Sequence, residues 1–401
     1  MSPKSSPAGR PVVVTHALRT PIGKFLGGLA DLSAADLGMQ VVRALLERAG
    51  LGGSAVDELI FGNARQAGGG PNVARQVSVR AGIPVEAPAW TVNMACASSL
   101  KAIALGAEAV ASGRREVVVA GGTESMSRLP FLLPDMRRGY RIGHAPAVDA
   151  MYRDGFLCPL SEMVMGETAE KLAREVGIGR DEQDRFALES QRRYAAAREA
   201  GRFADEIAPV TVKTRKGDVR VSEDEHPRPD TTLETLAKLA PVFDPKEGTV
   251  TAGNSSGITD GAAAVLLMSA ERAEALGFES LAQVGPSSEV GVEPSIMGIG
   301  PVPALRALSG RTGRGAGDYD LIELNEAFAA QVLACDRELA LPRERLNVNG
   351  GAIALGHPIG ATGARIVVTL LHELRRRGGK RGLATLCVSG GLGMATEFER
   401  A

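Results

Sequence analysis

Apolar residues along this chain come in short β-branched runs separated by stretches at helical spacing. Val12 to Val14 reads as a strand, after a loose tail over residues 2–9. Leu37, Val41, Val42, Leu45 and Leu46 recur at the helical period, and Gly50 reads as the stop. Leu59-Ile60-Phe61 is a strand ending at Gly62-Asn63. Thr91-Val92 leads into Asn93-Met94-Ala95-Cys96, and a small-residue helix follows from about Ser98 to Ser112. Leu100, Ile103, Ala104, Ala107 and Val110 form its apolar face, with Gly113 as its cap. Val117 to Val119 reads as a buried strand ending in Gly121-Gly122.

The C-terminal part repeats this order. Leu321-Ile322 is a strand ending at Asn325, Val348-Asn349 precedes a glycine-rich turn, and a helix runs from about Ile359 to Arg377. Leu383 to Val388 is a strand ending in Gly390-Gly391. The landmarks Ile60/Ile322, Asn93/Asn349 and Gly121-Gly122/Gly390-Gly391 keep their order at offsets of 256 to 269 residues, which predicts a duplicated α/β unit. Residues 128–248 differ. They hold the charged helix from Arg180 to Arg202 and a polar segment from Lys213 to Asp230, broken by Pro209, Pro227, Pro229 and Pro241. This reads as an inserted, surface-lying region able to form a lid.

Composition narrows the function classes. Charged residues are 23% and hydrophobic residues 44%, the balance of a soluble globular chain. Forty-six basic against 47 acidic residues leave a net charge of −1, so a non-specific nucleic-acid or membrane-surface role has no electrostatic footprint. No apolar run reaches membrane-spanning length, and Met1 to Pro11 lacks the apolar stretch of a signal peptide. The four cysteines, at 96, 158, 335 and 387, have no zinc-ribbon spacing, and a reduced, cytoplasmic setting is expected. Glycine is 49 of 401 residues, about 12% against an average near 7%, which predicts close helix packing and tight turns.

Four residues stand where chemistry is possible. Cys96 lies between an apolar strand and a helix start built of Ala97, Ser98 and Ser99. There the helix dipole is expected to lower a thiol pKa from ~8.5 and favour a thiolate nucleophile. The alternative is a small core cysteine. His357, in Gly356-His357-Pro358-Ile359-Gly360, would project from a loop entering a helix, available as a base titrating near neutral pH. A capping or core histidine is the alternative. Cys387 ends a strand before Val388-Ser389-Gly390-Gly391, a run able to turn N–H groups inward as an oxyanion site. Asn325 could cap a helix or hold a water in a pocket. The glycine-rich stretches at 68–70, 121–122 and 350–351 spell neither a P-loop nor a dinucleotide-binding turn.

Taken together and in order, Val92-Asn93-Met94-Ala95-Cys96-Ala97-Ser98-Ser99-Leu100, Asn325-Glu326-Ala327-Phe328, Gly356-His357-Pro358 and Cys387 with its glycines resemble the thiolases, acetyl-CoA acyltransferases. Arg19-Thr20-Pro21-Ile22-Gly23, Asn72-Val73-Ala74-Arg75-Gln76, Met165-Gly166-Glu167-Thr168-Ala169-Glu170 and Thr251-Ala252-Gly253-Asn254-Ser255-Ser256-Gly257 extend the resemblance over nearly the whole chain.

The resemblance implies an α/β fold: two similar core domains in the layered αβαβα arrangement, with an inserted loop domain. These would be residues 1–127 with 249–279, a CoA-binding lid over 128–248, and residues 280–401. It also implies reversible acyl transfer between CoA thioesters. Cys96 would take the acyl group, and His357 would deprotonate it and donate to the thioester oxygen. Cys387 would be the acid/base at the acetyl α-carbon or CoA. Asn325 would hold a water that, with His357, stabilises the enolate oxygen. The backbone N–H groups of Cys96 and Ser389 would form a second oxyanion hole. Met165, Arg228, Ser256, Ala327 and Phe328 match CoA-channel positions. No metal or organic cofactor is implied, because coenzyme A is a substrate. A homodimer or homotetramer is implied.

Three positions depart from the family pattern: Ser99 for a frequent glycine, Ser389 for the usual first glycine after Cys387-Val388, and Val164 where short-chain members often carry histidine. A ketoacyl synthase on the same fold would pair its cysteine with two histidines, or with a histidine and an asparagine, and not with Cys387. A non-catalytic acyl-CoA binder would be missing one of Cys96, His357 and Cys387.

Overall fold

The computed structural model describes residues 9–400; the expected tail, apart from Gly9, lies outside the described residues. The main strands are β1 (Val12–Arg19), β2 (Glu58–Gly62), β3 (Ala89–Val92), β4 (Val117–Ser125), β5 (Thr259–Ser269), β6 (Ala282–Gly291), β7 (Leu321–Leu324), β8 (Arg381–Val388) and β9 (Leu392–Glu399). Among the described residues they join in the order β7-β8-β9-β6-β1-β5-β4-β2-β3, and Gly23–Lys24 pairs with β5. The principal helices are α1 (Ala34–Ala49), α2 (Val73–Arg80), α3 (Ser98–Ala111), α4 (Met165–Val176), α5 (Arg180–Glu199), α6 (Pro301–Thr312), α7 (Ala329–Leu339) and α8 (Ile359–Arg377).

The duplication is visible in the pairing. β2 lies parallel to β4, with α3 between them in the chain; β7 lies parallel to β8, with α8 between them. β3 runs parallel beside β2, and Leu346 makes a single parallel bridge to Ile322 at the matching place beside β7. The two wings meet through two residue pairs, Val13 with Gln283 and Val14 with Ala282.

Alternation along the strands sorts side chains into layers. Leu59, Phe61, Val117, Val119, Leu266 and Met268 face outward onto Leu37, Val41 and Leu45 of α1. Ile60, Val118, Ala120, Val265 and Leu267 face inward onto α3 and α8, whose other side is covered by Ala384, Leu386, Val388 and Phe398. Ile322, Leu324, Leu383 and Ala395 then turn outward onto α6 and α7. The result is α/β/α/β/α. The central helix α8 is buried on every side from Ile359 to Leu371, as a helix between two sheets must be.

Some expected boundaries shift. The strand anticipated to end at Gly121-Gly122 continues to Ser125. Glycine there answers a spacing demand and not a turn, since a Cβ on Gly122 would lie 2.1 Å from the Gly360 carbonyl oxygen. β1 likewise continues past Val14 to Arg19 through polar residues whose partners are distant in sequence.

Residues 128–248 are less superficial than their composition suggests. α5 ends at Glu199, short of Arg202, and buries Phe186, Ala187, Leu188, Tyr194 and Ala197. The hairpin Val210–Thr214/Gly217–Val221 seats Val210 and Val212 in the outer core beside α1. Arg19, fully buried, bonds Glu206 at 2.7 Å and both carboxylate oxygens of Asp224 at 2.7 and 3.0 Å, stitching β1 to this region.

Candidate active site

The turn carrying Cys96 is held from both sides. β3 leads into Ala95, whose φ of 43° is left-handed, and a single helical turn Ala95–Ala97 precedes α3. The Ser98 hydroxyl accepts from the Met94 amide at 2.9 Å and donates to the Ala95 oxygen at 2.6 Å. Asn93 accepts from the Ala95 amide at 3.0 Å and donates to the Ala64 oxygen at 3.1 Å. Cys96 itself is buried. Burial pushes its thiol up, and this outweighs the Arg65 charge and the N–H groups of Ser389 and Cys96 directed at the sulfur; Glu124 adds to the rise. The expected lowering is therefore corrected: desolvation beats the helix terminus here. A thiol so placed needs a base.

His357 enters α8 from a loop. Its amide donates to the Gly257 oxygen at 3.0 Å. Pro358 is the residue before the helix and not inside its first turn. The Thr362 hydroxyl donates its one proton to the Pro358 oxygen at 3.0 Å, so it accepts from His357 Nδ1–H at 2.6 Å. That network assigns the tautomer and leaves Nε2 with its lone pair, buried and without a protein partner among the described residues. Burial, with Arg365 and Arg65 adding, holds the imidazole pKa down to about 3. The expectation of a group titrating near neutrality is thus overturned. His357 is a neutral ring at physiological pH. α8 packs directly on the turn Ala95–Ala97.

Asn325 follows β7 and Cys387 lies one residue before the end of β8, the adjacent parallel strand, and the Asn325 amide bonds the Thr385 oxygen at 3.0 Å. Asn325 caps no helix, because α7 begins only at Ala329. Its side-chain Nδ2 and Oδ1 are both buried without a protein partner among the described residues. Such a pair of orphans suits a bound water. The Cys387 thiol is pushed well up, first by burial and then by the Cys96 and Cys335 thiols nearby.

Met165, Ala327, Phe328 and Cys387 pack into one apolar cluster with Cys158, Ala169, Val250 and Met297. Ser256 joins it through its amide, 3.0 Å from the Ala327 oxygen. Arg228 lies apart from that cluster. It lines a groove of about 280 Å³ with Gln191, His226, Thr231, Leu236 and Leu239, and its guanidinium meets no carboxylate within salt-bridge distance among the described residues.

Several contributors escaped sequence reasoning. Thr362 carries no charge to mark it. Glu124, buried, accepts from the Gly360, Ala64 and Arg65 amides at 2.8, 3.1 and 3.2 Å and from Asn63 at 2.7 Å, so it pins both loops beside Cys96. Burial raises its carboxyl to about 7. His226 had no distinguishing setting in the sequence. Its Nδ1 is 2.7 Å from the Ala354 oxygen, and its ring lies against Gly257. Of the departures, Ser99 ties α3 to α8 by accepting from the Ala364 amide at 2.8 Å.

A family model described as the thiolase N-terminal domain matches residues 12–271, and one described as the thiolase C-terminal domain matches residues 278–400. The chain belongs to the thiolase family. Among thiolase relatives, the acetyl-CoA acetyltransferase of Pseudomonas aeruginosa is 53% identical over 390 residues, covering 97% of this chain and 99% of that one. That of Chromobacterium violaceum is 52% identical over the same shares. Among solved thiolases, the Bacillus anthracis acetyl-CoA acetyltransferase matches with a TM-score of 0.96 at 45% identity, covering 98% of this chain and 100% of that one. Human mitochondrial 3-ketoacyl-CoA thiolase matches with a TM-score of 0.94 at 44% identity, covering 98% and 99%, and has also been solved in complex with CoA.

Proposed function

We propose that this thiolase moves acyl groups reversibly between CoA thioesters through an acyl-Cys96 intermediate. The two directions are thiolysis of a 3-ketoacyl-CoA to acetyl-CoA and a shortened acyl-CoA, and Claisen condensation of two acetyl-CoA. The observation that carries the reading is a neutral His357 with Nε2 free, at the entry to the helix that packs on the turn of a buried Cys96, whose sulfur faces the Ser389 and Cys96 N–H groups.

The chemistry follows in order. His357 Nε2 removes the Cys96 proton, and the thiolate attacks the 3-keto carbon. The bond between C2 and C3 breaks, leaving the acyl group on Cys96 and an acetyl-CoA enolate. Proton-bearing Nε2 and a water held by the Asn325 amide meet the enolate oxygen. Cys387 delivers a proton to the carbon. Its raised pKa keeps it a thiol until then. An incoming CoA thiol gives its proton to the Cys387 thiolate and attacks the acyl carbon, while the Cys96 and Ser389 amides hold the oxyanion; the bond to the Cys96 sulfur then breaks, releasing the shortened acyl-CoA, and the Cys96 thiolate takes back its proton from His357 Nε2. Losing one such donor typically costs roughly 3–4 kcal/mol. The scheme uses coenzyme A as substrate and calls for no cofactor.

Residues 128–248 serve in this reading as the CoA-binding region of a three-part chain, between cores of 1–127 with 249–279 and 280–401. Met165, Ser256, Ala327 and Phe328 line the channel, and the unpaired Arg228 receives CoA phosphates. The working unit is a homodimer or homotetramer in the cytoplasm. No helix among the described residues is long and apolar enough to cross a membrane. Incubation with labelled acetyl-CoA followed by peptide mass analysis tests the core of the reading. Label on Cys96 is expected, and label on any other residue overturns it. Thiolysis rates from acetoacetyl-CoA upward set the chain-length range.

A further inference from the structure

The Arg65 charge bears on both Cys96 and His357. It follows β2, and its backbone is fixed by two neighbours: Glu124 accepts from its amide at 3.2 Å, and Asn93 holds the adjoining Ala64 oxygen. The side chain reaches the other way, into the insertion. Its Nη2 donates to the Gly155 oxygen at 2.8 Å in the wide turn Tyr152–Phe156. Nε is buried against the same glycine, where a Cβ would come within 2.8 Å of it. Met151 and Phe156, flanking that glycine, pack on the cluster that contains Cys96 and Ala64. No carboxylate lies within salt-bridge distance of this guanidinium among the described residues. Its charge also bears on buried Glu124, but with no carboxylate in direct contact the guanidinium is left able to favour a second anion forming near it.

We propose that Arg65 is a positioning residue for the nucleophile: seated on Gly155 of the insertion, it supplies the positive charge that the Cys96 thiolate faces. The placement of turn 152–156 and the readiness of Cys96 are thereby linked. The other titratable groups around Cys96 are accounted for. Glu124, from the end of β4, opposes the thiolate. Cys387, from the end of β8, is a thiol held protonated. His357, from the loop before α8, is neutral. Among the described residues, Arg65 is the positive group whose charge lowers the Cys96 thiol. The burial that raises the Cys96 thiol is offset first by this charge.

The inference rests on Cys96 being the working thiol, but its test does not need turnover. The rate of iodoacetamide labelling of the Cys96 peptide is followed against pH in the full chain. R65M is expected to move the midpoint to higher pH and slow labelling at neutral pH several-fold, with R65K restoring most of the loss. G155A, which displaces the guanidinium without touching its charge, is expected to shift the midpoint in the same direction. An unmoved midpoint in R65M overturns the proposal. So does an R65K shift as large as that of R65M, because shape and not charge would then matter. If R65M does not fold, the G155A and R65K profiles decide alone. A shifted midpoint in a chain that transfers no acyl group would sink the catalytic reading and leave this one standing.

Discussion

Replacing Thr362 with valine removes one hydroxyl and almost no volume. In the wild-type chain that hydroxyl accepts the Nδ1 proton of His357 at 2.6 Å and so keeps Nε2 free to act as base. T362V leaves a fully buried N–H with no acceptor. Stranding such a group costs about 1–3 kcal/mol, and the ring can escape that cost only by rotating or by moving its proton to Nε2. Either response withdraws the base. If the whole cost falls on the transition state, turnover drops about 5- to 150-fold. The assay is steady-state thiolysis of acetoacetyl-CoA, with T362S as the control that keeps the hydroxyl. T362V should lose kcat with little change in KM, because Thr362 lies behind the imidazole and not in the groove. T362S should stay close to wild type. The hydroxyl also donates to Pro358, so some loss of thermal stability accompanies T362V and must be measured separately. T362V turning over as fast as wild type would refute the tautomer argument.

Three further outcomes are expected. G122A forces a methyl group to within 2.1 Å of the Gly360 carbonyl oxygen, a backbone atom that cannot swing away, so its urea midpoint should fall by the equivalent of about 1–3 kcal/mol or more, while G52A, with only Ser54 Oγ 3.7 Å away, should not move it. R19M strands Glu206 and Asp224, both nearly inaccessible, and should cost about 3–5 kcal/mol of unfolding free energy; an unchanged midpoint would mean the pair contributes nothing. His357 sits at about 3 in the folded chain against 6.5 in the unfolded one, so its contribution is complete above pH 6.5 and is lost as pH falls toward 3, where the unfolded chain binds a proton that the folded chain refuses. Denaturant midpoints measured across that window should flatten in H357N, and an equally steep decline would refute the assignment.

Much of the architecture was legible in local pattern. α8 occupies the span from Ile359 to Arg377 that the sequence predicts, because a helix buried on all sides leaves a continuous apolar signal. Arg19 was not legible as part of a strand, since a lone arginine announces neither Glu206 nor Asp224 so far along the chain. The glycines at 121 and 122 read as a turn because sequence reports small size and not what approaches it. At the site, motif order placed Cys96, His357, Asn325 and Cys387 on strand ends and helix starts. Cys96 came out raised where a lowering was expected, and His357 lies well below the neutral range expected of it. Depth of burial depends on both wings of the sheet and cannot be read from either motif.

The seam between α3 and α8 also bears on how the chain is made. Gly62 and Gly122 meet the Gly360 backbone, and Gly363 meets the Leu100 backbone, so the contact admits no substitute filler. At ordinary synthesis rates of about 5–20 residues per second, the N-terminal wing, complete at the end of β5, leaves the ribosome roughly 5–20 s before the helix that covers it. During that interval the inner face of the wing, with Leu100, Ile103 and Val110, stays open to water. The nascent half is therefore expected to need shielding until α8 arrives, and soluble yield should respond to translation speed more sharply than the stability of the finished protein would suggest.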